Sequence, residues 1–192
     1  EGAVHSWLDV VFDGPVAGEL TALVARLDPH GHSDALGQKL IGLTAPGIPD
    51  VYQGTELWED SLVDPDNRRA VDYEARRQAM AGGDHPKLRV VRAALALRRE
   101  RPDTFVGGGY RPLLAAGEAA QHLVSFARGD DVVVAVSRWT VRLADSGWGN
   151  TSLTLPDGVW TDRLTEISHR GTVLAADLFA DLPVTLLVRA DA

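Results

Sequence analysis

Apolar residues recur at helical intervals through the first half of the chain and in short alternating or continuous runs through the second. Val4, Leu8, Val11 and Phe12 lie at the spacing of one helix face, and Gly14-Pro15 interrupts them. Val16, Leu20, Leu23, Val24 and Leu27 continue an apolar stripe that Asp28-Pro29 is expected to end, since proline removes a helical donor. Ser33 stands where it would cap a third helix through Leu36, Leu40 and Leu43, which Pro46-Gly47 stops. Ile48 to Tyr52 reads as a short buried strand. Residues 53–70 are rich in Asp, Gly, Pro and Asn and read as a loop, long enough to suggest function or disorder. Tyr73 to Ala81 predicts a helix, broken by Gly82-Gly83-Asp84. His85 to Arg101 predicts the clearest one. Leu88, Val91, Leu95 and Arg98 share a face, Val90, Ala94 and Leu97 flank it, and Pro86 sits in the tolerant first turn.

Past Pro102 the period changes. Residues 104–106, 110–115, 121–127, 131–138, 151–155, 158–163, 172–175 and 184–189 read as strands separated by glycine and aspartate turns. Gly129-Asp130-Asp131 between two apolar runs is a hairpin signal. The pattern divides the chain near residue 103, with helical material over 1–102 and an antiparallel β-sandwich over 103–192. No internal repeat or low-complexity run is present.

The chain has 192 residues, enough for one large domain or two small ones, and 45% hydrophobic content, enough for a core. Its formal charge of −8 disfavours nucleic acid or an anionic membrane as a partner, because both need a basic face. With no cysteine there is no disulfide, thiolate-metal site or thiol nucleophile, which fits a reducing compartment such as the cytoplasm. No apolar run is long enough to predict a membrane span. The first residues, EGAVHSWLDV, lack a basic n-region and an initiator Met, so the segment is expected to start inside a longer polypeptide.

Chemistry concentrates between Pro46 and Arg69, in PGIPDVYQGTELWEDSLVDPDNRR. A segment that reads as buried runs directly into polar groups, as at the end of a barrel strand. Tyr52 would stand near the strand's end, Gly54 permits close backbone approach, and Glu56 would orient a neighbour. The competing reading is a buried strand with a polar turn. Asp64 and Arg68, four apart around Pro65, can meet across one tight turn and offer acceptors beside a rigid donor fork. Sugar hydroxyls need both kinds of group; the competing reading is a salt bridge that anchors a loop.

PGIPDVYQGTEL followed by SLVDPDNRR resembles the maltooligosyl trehalose synthase family of the α-amylase superfamily. Asp50, Gln53, Trp58 and the run Leu62 to Arg69 carry the resemblance, strongly over this motif and more loosely over most of the chain. The resemblance implies the C-terminal end of a (β/α)8 TIM barrel over 1–102, with its last helices and strand 8, then a β-sandwich domain. It implies a retaining mechanism in which one carboxylate attacks the anomeric carbon, a second protonates the leaving oxygen and a third steadies the charge. Those carboxylates lie on earlier barrel strands, so no catalytic residue is expected within this segment. Asp64 and Arg68 are implied as contacts to the donor-side glucose, and Tyr52, Gln53 and Glu56 as wall and support groups. The implied reaction converts the reducing-end α-1,4 linkage of a maltooligosaccharide to an α,α-1,1 linkage through a glycosyl-enzyme. It needs no metal or organic cofactor, and the partner is the N-terminal remainder of the same polypeptide. Alternatives are another α-amylase-superfamily hydrolase or glucanotransferase, or a non-catalytic carbohydrate-binding module.

Other features are read more plainly. His30 and His32 lack an acidic partner motif and read as a solvated loop. Arg98, Arg99 and Arg101 suit a helix C-terminus. Gly107-Gly108-Gly109 has no following helix or lysine and is no phosphate loop. Trp139, Trp148 and Trp160 read first as core and second as a sugar-stacking platform. Trp58 reads as packing or as a closure of the site.

Overall fold

The computed structural model describes residues 1–61, 64, 68–82 and 84–190. Helix α1 spans Gly2–Asp13 and α2 spans Pro15–Thr44. The predicted break at Asp28-Pro29 is absent: α2 runs for 30 residues straight through Pro29. A proline costs its own donor and crowds one turn, but the turns on either side remain free to continue. Burial of Ser33, Leu36, Gly37, Leu40, Leu43 and Thr44 holds the second half of α2 in register. Ser33 is accordingly no cap; its hydroxyl lies 3.2 Å from that of Ser137. The first half of α2 and all of α1 form a helical pair whose apolar stripe is not covered. Val4, Phe12, Val16 and Val24 are each at least half exposed. The stripe was legible in the sequence; its exposure was not.

Helix α3 spans Tyr73–Gly82, α4 spans Pro86–Glu100, and a single turn, α5, spans Pro102–Phe105. That turn replaces the expected strand at 104–106; the carbonyl of Pro102 accepts from Val106 N and closes it at 2.8 Å. The buried face of α4 is Lys87, Val90, Val91, Ala94 and Leu97, with Leu88 beside it. Leu95, expected on that face, is exposed.

The remaining chain is antiparallel sheet. Strands β1 Tyr110–Leu113, β2 Leu123–Arg128, β3 Val132–Ser137, β4 Ser152–Thr154, β5 Trp160–Asp162, β6 Ser168–His169, β7 Thr172–Leu174 and β8 Val184–Arg189 are present. Helices α6, Thr140–Ser146, and α7, Ala175–Leu178, and a 3-10 turn at Ala120–His122 interrupt them. One sheet has the order β1-β2-β3-β8-β5-β6 and a second pairs β4 with β7. The Gly129 hairpin sets the β2–β3 register, with Arg128 opposite Val132 and Leu123 opposite Ser137.

Strand β3 is buried at every residue, which explains its unbroken VVVAVS run. Its alternation sorts two cores. Val132, Val134 and Val136 join Phe126, Val184 and Leu186 against Leu40, Leu43, Val90 and Leu97 of α2 and α4. Val133 and Ala135 join Leu123 and Leu187 against Leu153, Leu155 and Val173 of the small sheet and its flank. Gly37 brings α2 onto β3, where an added Cβ would lie 3.6 Å from Val136 Cβ. The molecule is therefore mixed helix and antiparallel sheet, with helices on one face of the large sheet and the two-stranded sheet on the other.

Ile48 to Tyr52 is not a strand. Ile48 is 96% exposed and Tyr52 62% exposed, and the segment pairs with no strand among the described residues. An apolar run becomes a strand only where a neighbour accepts its backbone groups, and both sheets here lie beyond residue 109.

Candidate functional site

The stretch that follows α2 is clamped by cations. Tyr52 carbonyl accepts from Thr55 Oγ1 at 2.8 Å and from Thr55 N at 3.4 Å, closing a tight turn. Gly54 in this turn has φ +85°, and a Cβ there would stand 3.0 Å from Val71 Cγ2. The Gly54 carbonyl accepts from the Arg76 guanidinium, which also donates to Asp72 O at 3.1 Å and lies 3.9 Å from Glu56. Lys39 Nζ from α2 donates to Thr55 Oγ1 at 3.2 Å, and Lys87 Nζ from α4 donates to Leu57 O at 2.9 Å. Gln53 Oε1 accepts from the Tyr73 hydroxyl at 2.5 Å. Gln53 and Glu56 thus belong to one network with α3, while the Tyr52 ring stands in solvent.

Beneath this turn Lys39, Lys87, Asp50, Gln38 and Leu43 line a cleft of about 270 Å³. Burial, and then the neighbouring Lys39 charge, hold the Lys87 ammonium below its ordinary value, while Glu59, Glu56 and Asp60 act in the opposite sense. Trp58 packs between histidines rather than lining an opening. Its ring stacks on His32 at 4.1 Å, meets His85 at 5.0 Å and lies 5.9 Å from Lys87 Nζ. Burial, followed by the Lys87 and His32 charges, keeps His85 below its usual value.

Asp64 and Arg68 do meet: Arg68 Nε lies 2.5 Å from Asp64 Oδ1, with the side chains 74% and 56% exposed for Arg68 and Asp64. An ion pair this open adds little to stability. It leaves carboxylate acceptors and a guanidinium fork facing water. Leu62, Val63, Pro65, Asp66 and Asn67 of the same motif lie outside the described residues.

No family model matches the chain. A protein of Mycobacterium tuberculosis named maltooligosyl trehalose synthase is 62% identical to it over all 192 residues. The whole chain is homologous to a portion of the maltooligosyl trehalose synthases. It spans 25% of the length of that mycobacterial relative. The solved maltooligosyltrehalose synthase of Arthrobacter ramosus matches 95% of the chain at 42% identity with a TM-score of 0.86, and the match takes up 25% of that structure. A hypothetical maltooligosyl trehalose synthase of Sulfolobus tokodaii matches 94% of the chain at 26% identity and a TM-score of 0.68, across 24% of its own chain. Helix, sheet and order are therefore those of a C-terminal portion of maltooligosyl trehalose synthases.

Several groups in this synthase-like segment escaped the sequence reading. Lys39, Arg76 and Lys87 hold the turn from three helices. Only Lys87 left a trace, since it falls on the face shared by Val90, Val91, Ala94 and Leu97. Arg128 is 1% exposed and donates to the carbonyls of Thr44 at 2.7 Å, Phe105 at 3.1 Å and Thr104 at 3.2 Å. It ties the end of α2, where the candidate turn begins, to the sheet. Asp162, also buried, accepts from Thr185 Oγ1 at 2.7 Å and Leu164 N at 2.9 Å. The two central histidines diverge: His30 Nδ1 lies 2.9 Å from Thr140 Oγ1, whereas His32 stacks on Trp58. Trp160 is fully buried, Trp148 stacks on Phe179 at 5.1 Å, and Trp139 is exposed.

Proposed function

We propose that this chain is the C-terminal part of an enzyme that moves the reducing-end α-1,4 linkage of a maltooligosaccharide to an α,α-1,1 linkage, a step of trehalose formation. The 62% identity along every residue of the chain carries this reading. Residues 1–102 supply the last helices and strand 8 of a (β/α)8 barrel, and residues 103–192 form the terminal β-sandwich domain. In that setting residues 48–52 would gain ladder partners from neighbouring barrel strands. The uncovered stripe through Val4, Phe12 and Val24 would pack against the remainder of the polypeptide. A chain without cysteine needs no oxidising compartment, which supports the cytoplasm. Among the described residues no helix is long and apolar enough to cross a membrane.

The reaction is an intramolecular transfer through a glycosyl-enzyme formed on carboxylates outside this segment. What these residues contribute is binding. Asp64 accepts from hydroxyls of the donor-side glucose and Arg68 donates to them. Tyr52 forms a wall, while Gln53 and Glu56 are held by Tyr73 and Arg76 as supports. Holding the released glucose while water is excluded decides between transfer and hydrolysis.

The test is turnover of maltopentaose by the full-length protein, followed as loss of reducing ends. Asp64→Ala and Arg68→Ala should each lower kcat/KM by about 10–100-fold, the equivalent of one or two charged hydrogen bonds. Wild-type kinetics in both variants would overturn the site assignment. Release of new reducing ends would overturn the transfer reaction.

A further inference from the structure

Trp139 departs from its surroundings in three ways. It is 52% exposed, whereas Trp160 on β5 is fully buried. Its backbone lies at φ +53°, ψ +43°, the left-handed region that a bulky residue rarely adopts. Its ring is held in place: the Arg138 guanidinium carbon lies 4.2 Å from the indole centroid, and His122 meets the ring edge-on at 6.0 Å. Those supports are themselves fixed. Arg138 Nε donates to Gln121 O at 2.7 Å, and His122 Nδ1 lies 3.1 Å from Arg138 O. A strained backbone that presents a braced aromatic ring to solvent is poorly explained by packing, because packing would turn the ring inward.

Beside the ring runs a groove of about 500 Å³ lined by His30, Asp34, Trp139, Thr140, Val141 and Arg142. Its volume is in the range of ligand pockets, about 300–1,000 Å³. A pyranose presents an apolar C–H face and a rim of hydroxyls that both donate and accept. The groove offers an open indole surface, a carboxylate acceptor at Asp34 and a guanidinium donor at Arg142. It lies across α2 and α6, on elements separate from the Gln53–Arg68 turn.

We propose that Trp139 and this groove form a second α-1,4-glucan-binding site, one that holds a distant part of a long chain rather than its reacting end. The choice of glucan rests on the functional reading above. The probe is β-cyclodextrin, an α-1,4-glucan ring with no reducing end, titrated calorimetrically into the full-length protein. Maltopentaose kinetics and Tm are measured alongside. Trp139→Gly removes the ring and gives the backbone a residue at ease at positive φ. The site predicts at least a tenfold weaker Kd for β-cyclodextrin, unchanged kcat/KM on maltopentaose, and a Tm that does not fall. Trp139→Phe should keep most of the affinity, and Asp64→Ala should keep it while losing turnover. No wild-type binding, or equal binding in Trp139→Gly, would overturn the site. A Tm lowered by several degrees in Trp139→Gly would also overturn it, by assigning the ring to contact with the rest of the polypeptide. Trp139-dependent binding in a protein that does not turn over maltopentaose would leave this site standing and refute the synthase reading.

Discussion

Arg128→Met tests how the candidate turn is tied to the sheet. The Arg128 guanidinium is buried and hydrogen-bonds only to carbonyls in the described contacts, from the end of α2, from α5 and from Gly108 and Gly109. Burial, and then the Arg98 charge, lower its affinity for a proton, yet a guanidinium remains charged at any ordinary pH. Methionine fills much of the volume without a charge. It removes the desolvation cost of the ion but strands at least two well-made acceptors, Thr44 O at 2.7 Å and Phe105 O at 3.1 Å. The Gly109 carbonyl keeps a donor in Gly129 N. Each stranded buried acceptor costs about 1–3 kcal/mol. Loss of a cation at the C-terminus of α2 adds up to ~1 kcal/mol. Relief of ion desolvation offsets part of this, leaving a net loss of about 3 kcal/mol. In a chain of this size that lowers Tm by about 6–12 °C. Urea titration of the chain followed by circular dichroism measures it, with Arg128→Lys expected to recover roughly half because one ammonium reaches fewer carbonyls. A methionine variant as stable as the parent, or more stable, would refute the reasoning. Burial of the ion would then outweigh everything it bonds.

Two further outcomes follow from the candidate turn. Gly54→Ala places a Cβ at positive φ and against Val71, so it should cost about 1–3 kcal/mol. Val71→Ala should recover only the steric part; a neutral Gly54→Ala would mean that the turn is not held as described. Lys87 binds its proton less tightly folded than unfolded, so stability should rise with pH from the lowered folded value up to about 10.5, where the unfolded lysine titrates. Lys87→Met should flatten that rise in urea midpoints taken between about pH 8 and 10.5, and an unchanged slope would refute it.

Local pattern alone determined most of the sheet. Strands β1, β3, β4, β5, β7 and β8 lie within the expected runs and β2 passes its run by one residue, because alternation and glycine turns are properties of a few neighbouring residues. The helix at Pro86–Glu100, though not its buried face, and the meeting of Asp64 with Arg68 were equally local. Tertiary structure decided the rest. Pro29 passes inside α2 because β3 buries the following turns. Residues 48–52 stay unpaired because ladder bonds need a second strand, which no short window of sequence supplies. Lys39, Arg76, Lys87 and Arg128 act across separations of 16 to 84 residues. A charged side chain reads as surface in a linear sequence; only the folded chain brings it the carbonyl or hydroxyl that makes it a clamp.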